Sequence, residues 1–295
     1  MNSLSNNSSR VPLAVAIITK DEAANLPCCL QSVAFAAQIV VVDSGSTDNT
    51  LQIARDFGCD VYEEPWRGGF GAQKQFAIDK CRQPWILVLD ADERIPAETM
   101  AAITEIVVAG ETQDRGGTSA TDGSGLPAGY SFPRKNFFQG RWIRHAGWWP
   151  DRLTRLFRRG YGRMSPAAVH EGVEVNGFVA ALDCPIEHYT ESDLGRILAK
   201  IDRYSTLGAR EARDAGKQAT VAGALSRAVL TFFHGYVLRR GFLDGAPGLT
   251  LAVTDAVNKF FKYAKLSELG RRADMEVNKT TGGHKKRTLK NGMRG

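Results

Sequence analysis

The sequence has 295 residues, 43% hydrophobic and 24% charged, ordinary globular proportions that allow a sizeable core and exclude a disordered, collagen-like or coiled-coil chain. The formal net charge is +6, and six basic residues after Glu276, with no acid among them, account for all of it. A protein that coats nucleic acid spreads basic charge over its fold, so no nucleic acid is expected as a partner; the basic end reads as a solubilising tail or as a contact for an anionic membrane surface.

Residues 1–10, MNSLSNNSSR, are polar and read as a disordered start without the apolar core of a signal peptide. Val11 to Ile18 is an apolar, β-branched run, the pattern of a strand buried on both faces. A helix through Leu26, Leu30 and Val33 follows, with Thr19 or Asp21 as its cap. A second buried strand, Ile39 to Val42, ends at Asp43, and DSGSTDNT leads into a helix from Thr50 that Gly58 stops. Cys59 to Tyr62 reads as a third strand, RGGFGAQKQFAIDKC as a glycine loop feeding a helix, and Trp85 to Leu89 as a fourth strand ending at Asp90. Pro96 opens a helix to about Val108.

This alternation predicts an α/β class with a doubly wound, mostly parallel sheet and a helical C-terminal region. Residues 11–190 form the expected main domain, interrupted by a flexible insertion at 110–129 that is nearly free of large apolar side chains. Residues 191–270 read as helical and residues 271–295 as a disordered basic tail. No apolar run reaches the roughly 18 residues that a membrane-spanning helix requires. The expected location is therefore cytoplasmic, peripheral on the inner face of the cytoplasmic membrane. The five cysteines form no CxxC pair, which points to buried reduced thiols.

In open α/β sheets ligands bind beyond the carboxyl ends of the strands, where Asp43, Asp90 and Asp92 lie. Residues i and i+2 of a strand share a face, so Asp90 and Asp92 are expected to converge. Paired carboxylates beside a diphosphate suit Mg²⁺ or Mn²⁺; exposed loop acids are the plainer reading. Asp43 can accept hydrogen bonds from a base or ribose, since Ser44, Ser46, Thr47 and Asp48 suffice for helix capping. The GGFG loop matches neither a P-loop nor G-x-G-x-x-G.

Read together, VAIITKDEAANL, IVVVDSGSTDNT and ILVLDADE resemble the nucleotide-binding half of the family 2 inverting glycosyltransferases with the GT-A fold, over residues 11–100. WWPDRLTRLFRRG, AVHEGVEV, CPIEHYT and FLDGAPGL resemble the branch holding the bacterial lipopolysaccharide core β-1,4-glucosyltransferases, extending the likeness to residues 11–270. The resemblance implies a hexosyltransferase that uses a nucleotide diphosphate sugar, a divalent ion and a cell-envelope glycolipid acceptor. It implies base and ribose contacts at Thr19, Glu22 and Asp43, a nucleotide contact at Lys74, a place near ribose and metal for Asp90, and direct metal ligation by Asp92. Inversion requires a general base, for which Glu171 is the candidate and Asp151 the rival; His170 is a metal ligand or orients the acceptor. Trp148 and Trp149 read as sugar-stacking or core residues. Arg155, Arg158 and Arg159 read as contacts to a phosphorylated acceptor or the diphosphate.

No QxxRW motif occurs, against a processive polysaccharide synthase. In the C-terminal third, Leu249 to Leu266 carries apolar residues on one face and Lys259, Lys262 and Lys265 on a neighbouring stripe, the pattern of an interfacial helix or of a helix packed on its own protein. The rival functions are a nucleotide-sugar nucleotidyltransferase, which would carry a basic glycine-rich loop after the first strand, and a non-catalytic sugar-, nucleotide- or RNA-binding protein.

Overall fold

The structure, a computed structural model, describes the backbone of residues 10–114, 127–165, 172–190 and 193–291, and the side chains of these except 111–114 and 273–291. The first nine residues and most of the expected insertion lie outside the described residues. The chain divides into two compact units, Met1–Phe137 with Trp149–Thr190, and Phe138–Trp148 with Glu191–Gly295. The segment Phe138–Trp148 thus groups with the helical unit, although it lies inside the 11–190 span read as one domain.

The first unit begins with the alternation expected: β1 (Val11–Thr19), α1 (Leu26–Ser32), β2 (Ala36–Asp43), α2 (Thr50–Asp56), β3 (Asp60–Glu63), α3 (Phe70–Asp79), β4 (Trp85–Asp90), the short β5 (Glu93–Arg94) and α4 (Ala97–Asp114). β6 (Gly129–Phe138), β7 (Arg141–Trp142), β8 (Asp151–Arg158), β9 (Gly162–Met164), β10 (Val173–Val175), β11 (Val179–Ala181) and β12 (Ile186–Tyr189) follow. The sheet order is β3-β2-β1-β4-β8-β6-β12-β5. β1 to β4 pair in parallel, as do β6 and β12, whereas β8 runs antiparallel to both β4 and β6. Gly58 ends α2 at φ +84°, a left-handed conformation that glycine adopts without a Cβ penalty. The cap expected for α1 is not found: its N-cap residue is Asn25, without a side-chain cap, because Thr19 and Asp21 hydrogen-bond across to the loop after β2 instead.

Both faces of the sheet are buried, which is why the strands read as continuous apolar runs. Leu13, Val15 and Ile17 of β1 and Leu87 and Leu89 of β4 pack on one face with Leu26 and Leu30 of α1 and Ile103 and Val107 of α4. Ala14 and Ala16 of β1 and Ile86 and Val88 of β4 pack on the other, with Ala77 and Ile78 of α3 and Phe157 of β8. This parity places the next even position of β4, Asp90, on the α3 side. The five cysteines are free thiols. Burial pushes Cys59 and Cys81 up to about 12, while Cys28 is exposed, against the expectation that all five are buried.

The helical unit contains α5 (Leu194–Asp214), α6 (Val221–Phe233), a π-helical turn over His234–Leu238, a 3-10 turn over Gly241–Asp244 and α7 (Gly245–Asn291). Asp193 caps α5 and Thr220 caps α6, accepting from Arg196 N (2.8 Å) and Gly223 N (3.1 Å). The buried Asp244 accepts from His145 N at 2.9 Å and Arg144 N at 3.3 Å, with His145 Nδ1 at 3.0 Å, tying the 138–148 segment to the start of α7. Trp148 packs here against Phe138, Ile143 and Leu251. α7 runs to Asn291, so its backbone is helical through most of the segment that composition assigns to a disordered tail.

Much of the Leu249–Leu266 stretch is a packing surface. Leu251, Ala252 and Leu266 are buried. The Lys265 Nζ donates to Asp202 Oδ1 (2.6 Å), Ser205 Oγ (2.9 Å) and Thr206 Oγ1 (2.8 Å) of α5. Of the lysine stripe, Lys265 is thus engaged inside the bundle.

Candidate active site at the carboxyl end of the sheet

The loops after β1 and β2 are tied together by side chains. Asp43 is buried and accepts from Thr19 Oγ1 (3.0 Å), Gly45 N (2.9 Å), Ser46 N (2.8 Å) and Ser46 Oγ. Asp21, at φ +54°, accepts from Thr47 N (2.7 Å) and Thr47 Oγ1 (3.1 Å). Glu22 N donates to Thr50 Oγ1 (2.8 Å), and the Glu22 carboxylate accepts from Asn25 Nδ2 (2.9 Å). Thr19 and Asp43 therefore meet directly, Glu22 reaches Thr50 and Asn25 instead, and Asp43 also braces the turn that follows it.

Beside these loops, β4 stops at Asp90, residues 91–92 turn, and Glu93 starts β5. The strand parity behind the expected convergence of Asp90 and Asp92 ends with the strand, and the two carboxylates acquire different partners. Asp90 Oδ1 meets Lys74 Nζ of α3 at 2.7 Å, and its Oδ2 meets Arg155 NH2 of β8 at 2.9 Å. Burial would raise the Asp90 pKa, but the Lys74 ammonium and the Arg155 guanidinium outweigh it and hold the carboxyl well below the usual range. Glu93 is fully buried; its Oε1 meets Arg155 NH2 at 2.6 Å and Arg134 NH1 at 3.7 Å, and its Oε2 accepts the Asp90 N–H at 3.0 Å. Burial works against the Arg155 charge, yet Glu93 and Asp90 raise its pKa above the ordinary guanidinium value.

Asp92 faces His188 of β12, with Oδ2 3.2 Å from Nε2, and His188 Nδ1 lies 2.6 Å from Asn136 Oδ1 on β6. A ring nitrogen facing an amide oxygen is the N–H donor. Nε2 and Asp92 Oδ2 set one nitrogen and one oxygen atom 3.2 Å apart. His188 was not singled out from the sequence, although CPIEHYT contains it. Its signal is strand parity: Ile186 is buried in the core, and His188 lies two residues on, on the same face at the strand's carboxyl end.

Other expectations divide. Asp151 is ion-paired, its Oδ2 accepting from Arg134 Nε (3.0 Å) and NH2 (2.6 Å). His170 and Glu171 lie outside the described residues; the flanking Ser165 N donates to Gly172 O (2.8 Å), and Met164 N donates to Gln75 Oε1 (2.8 Å) of α3. Arg155 is buried among carboxylates, not open to a phosphate. Arg158 pairs in register with Trp85, at the start of β4, and its guanidinium lies 5.1 Å from the Trp85 ring centroid. Because β8 is antiparallel to β4, Arg158 and Arg159 fall at the opposite end of the sheet from Asp90. Among the described residues no group of three or more His, Cys, Asp or Glu gathers into a ready-made metal cluster.

The family model for glycosyl transferase family 2 matches residues 14–121, which hold all of the site contributed by β1, β2, α3 and β4. The chain is 31% identical over 269 residues to the lipopolysaccharide core biosynthesis glycosyltransferase LpsC of Rhizobium meliloti (strain 1021), covering 87% of this chain and 92% of that protein. It is 30% identical to an uncharacterized glycosyltransferase of Rickettsia bellii (strain RML369-C), covering 86% and 85% respectively. Among solved structures it is similar to S. aureus TarS 1-349, with 15% identity and a TM-score of 0.40 over 88% of this chain and 91% of that one.

The buried charge network should dominate local stability. Glu93→Gln leaves Arg155 short of a buried countercharge and should cost about 3 kcal/mol in denaturant unfolding, whereas Asp92→Ala should change stability by less than about 0.5 kcal/mol. Since the folded Asp90 pKa is depressed, its contribution is fully present above the unfolded value of about 4 and is lost only as pH falls through the folded value. Stability should therefore show no Asp90-dependent loss between pH 7 and pH 5. It should fall below about pH 4, and Asp90→Asn should remove that acid-dependent part.

Proposed function

The chain belongs to glycosyltransferase family 2 and is a glycosyltransferase, and from that premise we propose that it is a metal-dependent, inverting hexosyltransferase. The donor is a nucleotide diphosphate sugar, and the acceptor is the lipopolysaccharide core or another cell-envelope glycolipid at the inner face of the cytoplasmic membrane. The name of the Rhizobium relative supports the acceptor class. The observation that carries the metal reading is the Asp92–His188 pair, an oxygen and a nitrogen donor facing each other at 3.2 Å.

The donor set fits a divalent ion. Asp92 and His188 would hold it, and the hydrogen bond from His188 Nδ1 to Asn136 would orient the imidazole. One nitrogen ligand favours Mn²⁺ over Mg²⁺; His170 remains a further candidate ligand. When bound, such an ion neutralises charge on a departing nucleotide diphosphate. Asp90, with both oxygens engaged by Lys74 and Arg155, serves as a fixed anion that positions Lys74 toward the nucleotide. Thr19, Glu22 and Asp43 receive the nucleoside, Asp43 chiefly through the Gly45–Ser46 turn that it braces.

Inversion is a single displacement in which a base takes the acceptor hydroxyl proton as that oxygen attacks the anomeric carbon. Glu171 has this role. Its rival Asp151 is engaged by the Arg134 fork.

Two experiments test this reading. Release of nucleoside diphosphate from a panel of nucleotide sugars should stop in excess EDTA, return with Mn²⁺, and be abolished by Asp92→Ala. Asn136→Ala should weaken apparent Mn²⁺ affinity roughly 10–100-fold; full turnover in EDTA would end the metal assignment. Separately, Glu171→Gln should keep donor binding but lower turnover roughly 10²–10⁴-fold. If Asp151→Asn has that effect instead, the base is Asp151.

A further inference from the structure

Helix α6 is turned inside out relative to a helix of a water-facing bundle. Its buried residues are the small Ala224 and Ala228, one turn apart, which let α7 approach closely. Its large apolar residues point away from the unit: Leu225 is 57% exposed, Val229 58%, Leu230 66% and Phe233 51%. Further exposed apolar residues follow at Val237 and Leu238 of the π-helical turn and at Phe242 and Leu243 of the 3-10 turn, with exposed His234, Arg239 and Arg240 among them. An apolar surface of this extent is not a normal feature of a water-exposed face.

The polar side chains of α6 do not interrupt it. Ser226 donates to Ala222 O and Gly223 O (both 3.2 Å), Thr231 to Arg227 O (2.8 Å), and Arg227 NH1 to Gly223 O (2.9 Å). The Arg227 guanidinium also lies 4.6 Å from the Tyr263 ring centroid on α7. The Ser226 and Thr231 hydroxyls thus satisfy their hydrogen bonding on their own helix, as side chains must where water is scarce, while Arg227 is exposed.

The charge around this face has one sign. Residues 215–243 contain Lys217, Arg227, Arg239 and Arg240 and no acid, and Arg239 and Arg240 are both exposed between Leu238 and Phe242. We propose that this face, from Val221 to Leu243, is the membrane-docking surface of the protein: it inserts into the headgroup and acyl boundary of an anionic bilayer, with Arg239 and Arg240 at the phosphate level. The inference rests on the proposed inner-membrane location and assigns it to a surface other than Leu249–Leu266 or the basic end. A second copy of the chain fits the same face poorly, because a self-interface would bring cations together with no acid between them.

The docking is interfacial. Val221–Leu238 is long and apolar enough to cross a membrane by length and composition. However, α6 itself spans only about 20 Å, against the roughly 30 Å of a hydrocarbon core. Ala224 and Ala228 are also committed to the protein. One face packed and one face apolar is the geometry of a helix lying in the surface plane.

The test is flotation of the full chain with vesicles of phosphatidylcholine containing 30% phosphatidylglycerol or none, at low and high salt, alongside soluble donor turnover and sedimentation. Wild type should float with the anionic vesicles. Leu230→Gln/Phe233→Gln/Leu238→Gln, all at exposed positions of the helical unit and none among the catalytic residues, should reduce partitioning by at least about tenfold while leaving donor hydrolysis and the melting transition unchanged. Arg239→Gln/Arg240→Gln should remove the preference for anionic vesicles and the salt dependence. Undiminished flotation of the triple variant, with loss on deleting 277–295, would overturn the surface while keeping the membrane location. Failure of wild type to float would overturn both, and a concentration-dependent dimer that the triple variant abolishes would overturn the surface. Because donor hydrolysis is read in the same samples, failure of the transferase reading is seen separately.

Discussion

A carboxylate sealed from solvent is tolerated only if a cation reaches it, since each unpaired buried ion costs several kcal/mol. Glu93 is such a group, and Arg155 is the cation. To reach Glu93, Arg155 must lie on the same face of β8 as Phe157, and β8 must run antiparallel beside β4, as its register with Ile86 and Leu87 requires. The second Glu93 oxygen takes the Asp90 N–H, so the same side chain holds the residue at which β4 stops. The strand end, the turn that carries Asp92 and the placement of β8 thus depend on one buried ion pair.

Much of the α/β organisation was legible because a sheet buried on both faces leaves near-continuous apolar runs, and the ends of β1, β2 and β4 followed from those runs with glycine and proline stops. The site was less legible. Pairing Asp90 with Asp92 by strand parity presumed that the strand continues, and nothing local in ILVLDADE marks Asp90 as its last residue. The partners that decide what each carboxylate does come from afar: Arg155 is 65 residues from Asp90 and His188 is 96 from Asp92. A basic residue near aromatics reads as a ligand contact until a register shows where it points; antiparallel β8 sent Arg155 into the core and Arg158 to the other end of the sheet.

The helical unit illustrates a different limit. Periodicity identifies a face but not its occupant. The Leu249–Leu266 pattern was sound, yet Lys265 reaches Asp202 and Leu251 and Leu266 are buried, so the bundle occupies one side of that helix while Leu249 and Val253 stay exposed. The contrary signal lay in α6, where alanines at 224 and 228 mark the contact side and leucines, valine and phenylalanine fall elsewhere. Small residues inward and large ones outward reverse the usual assignment, and only burial tells the two apart.

The Asp90–Asp92 pair also explains how neighbouring carboxylates two residues apart can take unlike roles. Groups whose environments are driven apart acquire separate chemical functions. Asp90 is saturated by two cations and stays an anion far into the acid range, so it cannot exchange a proton and has little lone-pair capacity left for a further ligand. Asp92 stands outside that network, partly exposed, opposite an imidazole whose far nitrogen is already committed. Charge added between Asp92 and His188 meets no fixed competitor there, whereas a cation brought to Asp90 would have to displace Lys74 or Arg155. The same motif therefore contains one carboxylate held between two cations and one paired with a histidine, and the difference is set by Glu93, which draws Arg155 inward.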